Sequence, residues 1–156
     1  MARPSKRTAR LVAALVMTLV LGLLPATAHA VTPHYGPNYA WQLFKATNHS
    51  RLSHGVHRVR LDRGASVYAV KHSEAMARRN LLFHSNDPDV YLSGAGRWSR
   101  WGENIGWTTG DIAGLQRAFM RSPVHRENIL DGRFRHVAIG AVKDGKKLWV
   151  TLFFYG

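Results

Sequence analysis

Two patterns of apolar spacing divide the chain: helical periodicity through most of it, and dense apolar runs at its end. Near the start of the folded part, Trp41, Phe44 and Asn48 recur at helical spacing, with Leu43 and Thr47 beside them. This predicts a first helix capped by Asn38 and stopped at Gly55. A second helix is predicted from about Ala65 to Leu82, with Ala69, His72, Ser73, Met76 and Asn80 on one stripe and Arg78 and Arg79 turned outward. The stretch "FHSNDPDVYLSGAGRWSRWGENIGWTTG" follows, rich in Gly, Ser and Trp. It is too long for a plain connection and reads as a functional loop region with short strands at its ends. Asp111 then caps a third helix that carries Ile112, Leu115 and Phe119 on one face. In "SPVHRENIL", Ser122 can cap and Pro123 suits the first helical position, where its missing N–H is not needed. Asp131-Gly132 ends that short helix. "HVAIGAV" and "KLWVTLFFY" read as two strands joined through "KDGK", with Asp144-Gly145 as the turn signal. Both strands are apolar on both parities, so both sheet faces are expected to be covered. A sheet sandwiched between helices satisfies this pattern.

The first thirty residues break the pattern. "MARPSKRTAR" is basic, "LVAALVMTLVLGLL" is apolar, and Ala28-His29-Ala30 is a small-x-small cleavage site. The apolar run is shorter than the roughly 20 residues a membrane span needs, so residues 1–30 read as a removable secretory signal. Residues 31–37, "VTPHYGP", form a short leader, and residues 38–156 a single domain with no membrane span. A chain of 156 residues holds one domain with a real core. It has no cysteine, which excludes a disulfide framework and thiol chemistry. Its 22 basic and 9 acidic residues give +13, and loss of the four basic residues of the signal leaves +9. Such a charge suits nucleic acid in general. For a secreted, extracellular or envelope-associated protein it suits anionic envelope polymers or lipid headgroups instead, with no specific nucleic-acid partner. A plain like-charged, soluble surface is the simpler alternative.

Three polar residues stand out at element ends: His84 in "FHS", Glu103 in "GEN" and His125 in "SPVHRENIL". Two imidazoles and a carboxylate can hold a divalent metal such as zinc. The helix N-terminus near His125 favours the neutral ring that a metal requires. Yet no two of these residues have short metal-motif spacing, and there is no HExxH. On periodicity alone, a structural hydrogen-bond network is the favoured reading of the same residues. Ser85 and Ser122 sit beside histidines but in no nucleophile elbow, and read as turn and cap residues. His72 reads as an inward, hydrogen-bonded histidine. Trp98, Trp101 and Trp107 surround "GEN", and either form a stacking wall for a sugar or sterol or anchor the loop on the core.

Taken together these segments resemble the CAP superfamily (cysteine-rich secretory, antigen 5 and pathogenesis-related proteins, or SCP domains), in its bacterial extracellular branch. "ATNHSRLSHG" is similar to the family's first helix, with Asn48, Arg51 and Gly55 at the usual spacing. "AVKHSEAMA" followed by "FHS" is similar to its second helix and first cleft histidine. "WGENIGW", "FMRSPVHRENIL" and "HVAIGAV…LWVTLFF" are similar to its G-E-N segment, its bacterial S-P-x-H-R-x-N-I-L signature and its closing hairpin. The resemblance implies an α+β fold, a three-layer α-β-α sandwich with a central cleft. It also implies a cleft tetrad of two histidines and two acids that binds divalent metal in some members. His84, Glu103 and His125 match three of the four positions. Ser122 stands where animal and plant members carry the fourth acid, and Glu127 occupies the variable position of the signature.

Members of this superfamily bind sterols and other lipids, glycans or partner proteins, and a few are claimed as proteases. The expectation for this chain is a secreted, non-enzymatic module that binds a lipid, glycan or envelope component, with Trp101, Asn104 and Trp107 lining the ligand cleft. The alternative is a metal-assisted hydrolase in which His84 and His125 hold zinc or another divalent metal and Glu103 is ligand or general base. A third is a polyanion-binding surface driven by charge.

Overall fold

The computed structural model describes residues 39–92 and 98–156. The expected signal, leader and Asn38 cap lie outside the described residues. In chain order the elements are α1 (Tyr39–Ser53), β1 (Arg60–Leu61), α2 (Arg63–Arg79), α3 (Asp89–Leu92), β2 (Trp101–Thr108), α4 (Ile112–Arg121), α5 (Pro123–Leu130), β3 (His136–Asp144) and β4 (Lys147–Tyr155).

The four strands form one sheet in the order β1-β3-β4-β2. β1 runs parallel to β3, while β4 is antiparallel to both of its neighbours. The hairpin between β3 and β4 turns at Gly145 and Lys146, because Asp144 still pairs with Lys147. Gly145 has φ +55°, a backbone region that glycine enters without the clash a Cβ brings. A glycine in the first central position matches a two-residue hairpin turn.

β4 shows why the sheet needs helices on both sides. Its residues alternate between faces, yet all but Lys147 are buried. Leu148, Val150, Leu152 and Phe154 join Leu43, Leu115, Phe119 and Ile129 in the core beneath α1, α4 and α5. Trp149, Phe153 and Tyr155 face the opposite way, toward Ala65, Ala69, Met76, Tyr91 and Leu92 of α2 and α3. This is the three-layer α-β-α sandwich. α2 lies very close to the sheet: a Cβ added to Gly140 would meet the Ala69 backbone oxygen at 2.1 Å. Only glycine permits that approach.

Several elements differ from the sequence reading. α1 buries Asn48, Leu43 and Thr47 of the expected face and packs Phe44 against the core, but leaves out Trp41. Trp41 is exposed, and the inward residues are Leu43, Thr47, Asn48, Ser50 and Arg51. α2 starts two residues early, at Arg63, and Asp62 caps it by accepting a hydrogen bond from the Ala65 N–H. It ends at Asn80, which adopts a left-handed conformation instead of continuing the buried stripe. Of the short strands expected at the ends of the Gly/Ser/Trp-rich stretch, the one at its C-terminal end forms and is eight residues long, taking in all of "GEN" as β2. Ser122 occupies the N-cap of α5, but its hydroxyl makes no capping bond.

Candidate functional site

β2 is an edge strand whose alternation distributes the "GEN" residues over two faces. Trp101, Glu103, Ile105 and Trp107 point toward the α2 layer, while Gly102, Asn104 and Gly106 point toward α4 and α5. The glycines are needed on that second face. A Cβ on Gly102 would meet Asn128 Oδ1 at 2.5 Å, and one on Gly106 would press on the Phe119 ring at 3.1 Å. α5 and α4 therefore lie directly on the strand.

Glu103 is 5% exposed and both of its carboxylate oxygens meet protein donors. Oε2 accepts from His84 Nδ1 at 2.7 Å and from the Ser85 backbone N–H at 3.0 Å. Oε1 accepts a longer bond from the Tyr91 hydroxyl at 3.4 Å and lies 3.7 Å from His72 Nε2. Burial first, and then the Glu103 charge, push the Tyr91 phenol up, so it stays a protonated donor. A carboxylate can only accept, so His84 Nδ1 carries the proton, and in the neutral ring Nε2 keeps the lone pair. The His84 side chain is 60% exposed. The buried acid thus orients an imidazole that reaches solvent, the arrangement that supports metal-ligating histidines elsewhere.

His125 approaches from the other side of the strand. Asn104, fully buried, donates to the His125 backbone oxygen at 2.9 Å. Asn128 donates to the Glu103 backbone oxygen at 3.2 Å and to Asn104 Oδ1 at 2.9 Å. α5 is thereby clamped to β2, with the His125 ring 5.0 Å from that of Phe119. Burial, and then the nearby His84, hold the His125 imidazole below its ordinary pKa. The His125 ring therefore lies within electrostatic reach of His84.

The three expected residues gather at the β2 edge, in unequal roles. His84 touches Glu103, and His125 is close enough to His84 to be affected by its charge. Among the described residues no group of three or more His, Cys, Asp or Glu is placed to hold one ion. The donor chemistry fits two imidazoles with a carboxylate behind one of them, rather than a three-ligand set. Asn104, expected in the ligand cleft, is sealed between β2 and α5. Trp101 and Trp107, 40% and 43% exposed, do present ring surface. Trp101 stacks on Phe153, which stacks in turn on Tyr91. The Lys147 ammonium lies 4.6 Å from the Trp107 ring centre. His72 is the inward histidine expected from its stripe, and its Nε2–H donates to the Phe83 backbone oxygen at 2.8 Å. Ser122 and Glu127 take no recorded part in this network.

Sequence reasoning missed Tyr91, the Ser85 backbone N–H and Asn128. Tyr91 lies in a stretch without apolar period. Asn128 lies in the signature without ionisable chemistry of its own, and it serves the site by tying α5 to β2.

The comparisons with known proteins bear on the family and the fold. Residues 44–154 match the family model described as "CAP: Cysteine-rich secretory protein family". The Bacillus subtilis protein YkwD is 27% identical over 97% of this chain, which spans 62% of that protein's length. An extracellular SCP-domain protein of Bacillus anthracis is 27% identical, with a TM-score of 0.65 over 76% of this chain and 40% of that one. Venom allergen-like protein 4 of Schistosoma mansoni shares only 10% identity but the same fold, with a TM-score of 0.61 over 76% of this chain and 88% of its own. On the family match and on the sandwich it predicts, the chain belongs to the CAP, or cysteine-rich secretory protein, family.

Proposed function

We propose that this protein is an exported CAP module that binds a lipid, glycan or envelope component at the β2 edge and has no catalytic chemistry of its own. The observation that supports this reading is the state of Glu103. Its two oxygens are engaged by protein donors and its side chain is 1% exposed. A general base needs a lone pair within reach of substrate, and this carboxylate spends its lone pairs inside the protein. The groups offered to solvent are the His84 ring and the faces of Trp101 and Trp107, which suit contact and stacking.

Export rests on the tripartite pattern of residues 1–30. It is also in keeping with the extracellular description of the Bacillus anthracis relative, and among the described residues no helix is long and apolar enough to cross a membrane. The test is a screen of lipids and wall fragments against the purified protein. A saturable ligand whose affinity drops up to about tenfold in Trp107→Ala and Trp101→Ala supports the proposal. Affinity that neither change alters defeats it.

A second reading, metal-assisted hydrolysis, draws on the free Nε2 of His84 and the depressed His125. Those two imidazoles would hold the ion, and a divalent metal there would supply a Lewis acid and a more acidic bound water. Glu103 would serve by orienting His84. Stoichiometric zinc in dialysed protein, lost in the pair His84→Ala/His125→Ala, supports it. No retained zinc and no thermal stabilisation by added zinc removes it.

A further inference from the structure

At the opposite edge of the sheet, beside β1, lies a pocket of about 490 Å³ walled by His57, Arg58, Arg60, Arg135 and His136. Its volume is in the range of small-molecule sites. No acid lines it. The carboxylates on neighbouring segments are committed elsewhere. Asp131 takes two hydrogen bonds from the Arg133 guanidinium, at 2.8 and 2.7 Å. Asp62 accepts from the Tyr155 hydroxyl and from the Ala65 N–H. Arg58, Arg60 and Arg135 are all exposed. Arg135 donates to the Gly132 backbone oxygen, as His57 can, which fixes those two side chains at the rim and leaves the Arg135 charge unneutralised. Among the described residues no ion pair joins any of the three arginines to a carboxylate.

Arg58 is also a wall of a second cavity, of about 520 Å³, that runs along the outer side of α1. That groove is apolar in its main lining: Trp41 stacked on Phe44 with ring centres 5.2 Å apart, together with Leu52 and Val59. Trp41 and Leu52 are 47% and 46% exposed. Lys45 and His49 edge it with further basic groups. An acid-free cationic pocket therefore adjoins an open aromatic groove, and one arginine belongs to both.

We propose that this edge is a binding site for a phosphoryl group carried on an apolar stem, a phosphorylated amphiphile. The phosphoryl group lies among Arg58, Arg60 and Arg135, and the stem lies along Trp41, Phe44 and Leu52. Planar guanidinium forks match phosphoryl oxygens two at a time. An apolar stem removes the exposed indole and leucine from water. The site is separate from the β2 edge, and the proposal stands whether or not the cleft binds a ligand.

The experiment is calorimetric titration of the full chain with inorganic phosphate, butyl phosphate and octyl phosphate. Binding is expected to tighten from the first to the last, by up to roughly fourfold for each methylene that enters the groove. Trp41→Ala should flatten the dependence on chain length and leave the response to inorganic phosphate unchanged. Arg60→Gln/Arg135→Gln should weaken all three ligands, on the order of tenfold or more. Arg58→Gln serves as a second variant should the pair unfold. Arg117→Gln/Arg121→Gln removes the same charge from α4 and should change little. Equal losses in that control would show a general charge effect and overturn the proposal. Affinity independent of chain length would overturn the amphiphile and leave free phosphate as the ligand source. Binding of octyl phosphate that none of the arginine changes weakens would overturn the pocket.

Discussion

Among the described residues each edge of the sheet rests on one buried charged side chain, and the two are satisfied in opposite ways. Beneath the β2 edge Glu103 is held mainly by side chains, and one of them, His84, reaches solvent. Beneath the β1 edge Arg51 is fully buried and held by backbone alone. Its guanidinium donates to the backbone oxygens of His57 at 2.8 Å, Ile129 at 2.7 Å, Asp131 at 3.0 Å and Phe134 at 3.2 Å. Burial lowers its pKa, against the opposing pull of the Asp131 charge. A buried charge with a side-chain route to the surface can influence what arrives there. One bonded only to carbonyls ties segments together. Arg51 joins the end of α1 to the approach to β1, the end of α5 and the approach to β3.

The largest effect should come from cutting that tie. Arg51→Leu leaves four backbone oxygens without their donor in a buried place, at about 1–3 kcal/mol for each that water cannot reach. We expect a loss of roughly 3 kcal/mol or more in urea unfolding, or failure to fold. If Arg51→Leu melts with the native protein, the contrast between a structural and a communicating charge is wrong. Glu103→Gln should cost less, about 1.5–3 kcal/mol for its charge-assisted bonds, but should reach further. The neutral amide no longer requires His84 Nδ1 to carry the proton. Nitrogen NMR of the His84 ring should show the Nδ1–H tautomer falling in Glu103→Gln and unchanged in Arg51→Lys, if that variant folds. An unchanged tautomer in Glu103→Gln would deny the buried acid its influence on the surface.

The two charges also differ in how far the sequence disclosed them. The hairpin, α4 and the start of α5 follow from apolar period and turn chemistry, because hydrophobic contact builds them. The inner face of α1 is only partly open to such reasoning, which reaches Leu43, Thr47 and Asn48 but not Ser50 or Arg51. Its buried residues include Thr47, Asn48, Ser50 and Arg51, and polar pairing holds them: Asn48 exchanges two bonds with the Val59 backbone, and Gln116 donates to Ser50 Oγ. The exposed Trp41 carried the stronger apolar signal. The full extent of β2 was obscured for a related reason. Gly102 and Gly106 give up side chains so that α5 and α4 can touch the strand, and Glu103 and Asn104 interrupt the alternation on both faces. His84, Glu103 and His125 gained their meaning from resemblance to a family, since their spacing along the chain states nothing of their meeting in space.

The smallest effect concerns whether the β2 edge is one cleft or two separate faces. Burial, and then His84, depress the His125 imidazole in the folded protein. Below the ordinary imidazole value, about pH 6.5, the unfolded chain therefore binds more protons at this residue than the folded one. Its contribution to stability is complete above that pH and is lost as pH falls through the depressed folded value. His125→Phe keeps a ring against Phe119 and removes the titration, so the decline of stability between neutral pH and pH 5 should become shallower. His84→Ala separates the two causes. With the neighbouring charge gone, the His125 titration followed by NMR should move part of the way back toward its ordinary value, and burial should keep it from arriving. A His125 titration indifferent to His84→Ala would mean that the rings do not sense each other across β2. The edge would then be two surfaces, each with its own histidine, and no two-imidazole site would exist for a metal to enter.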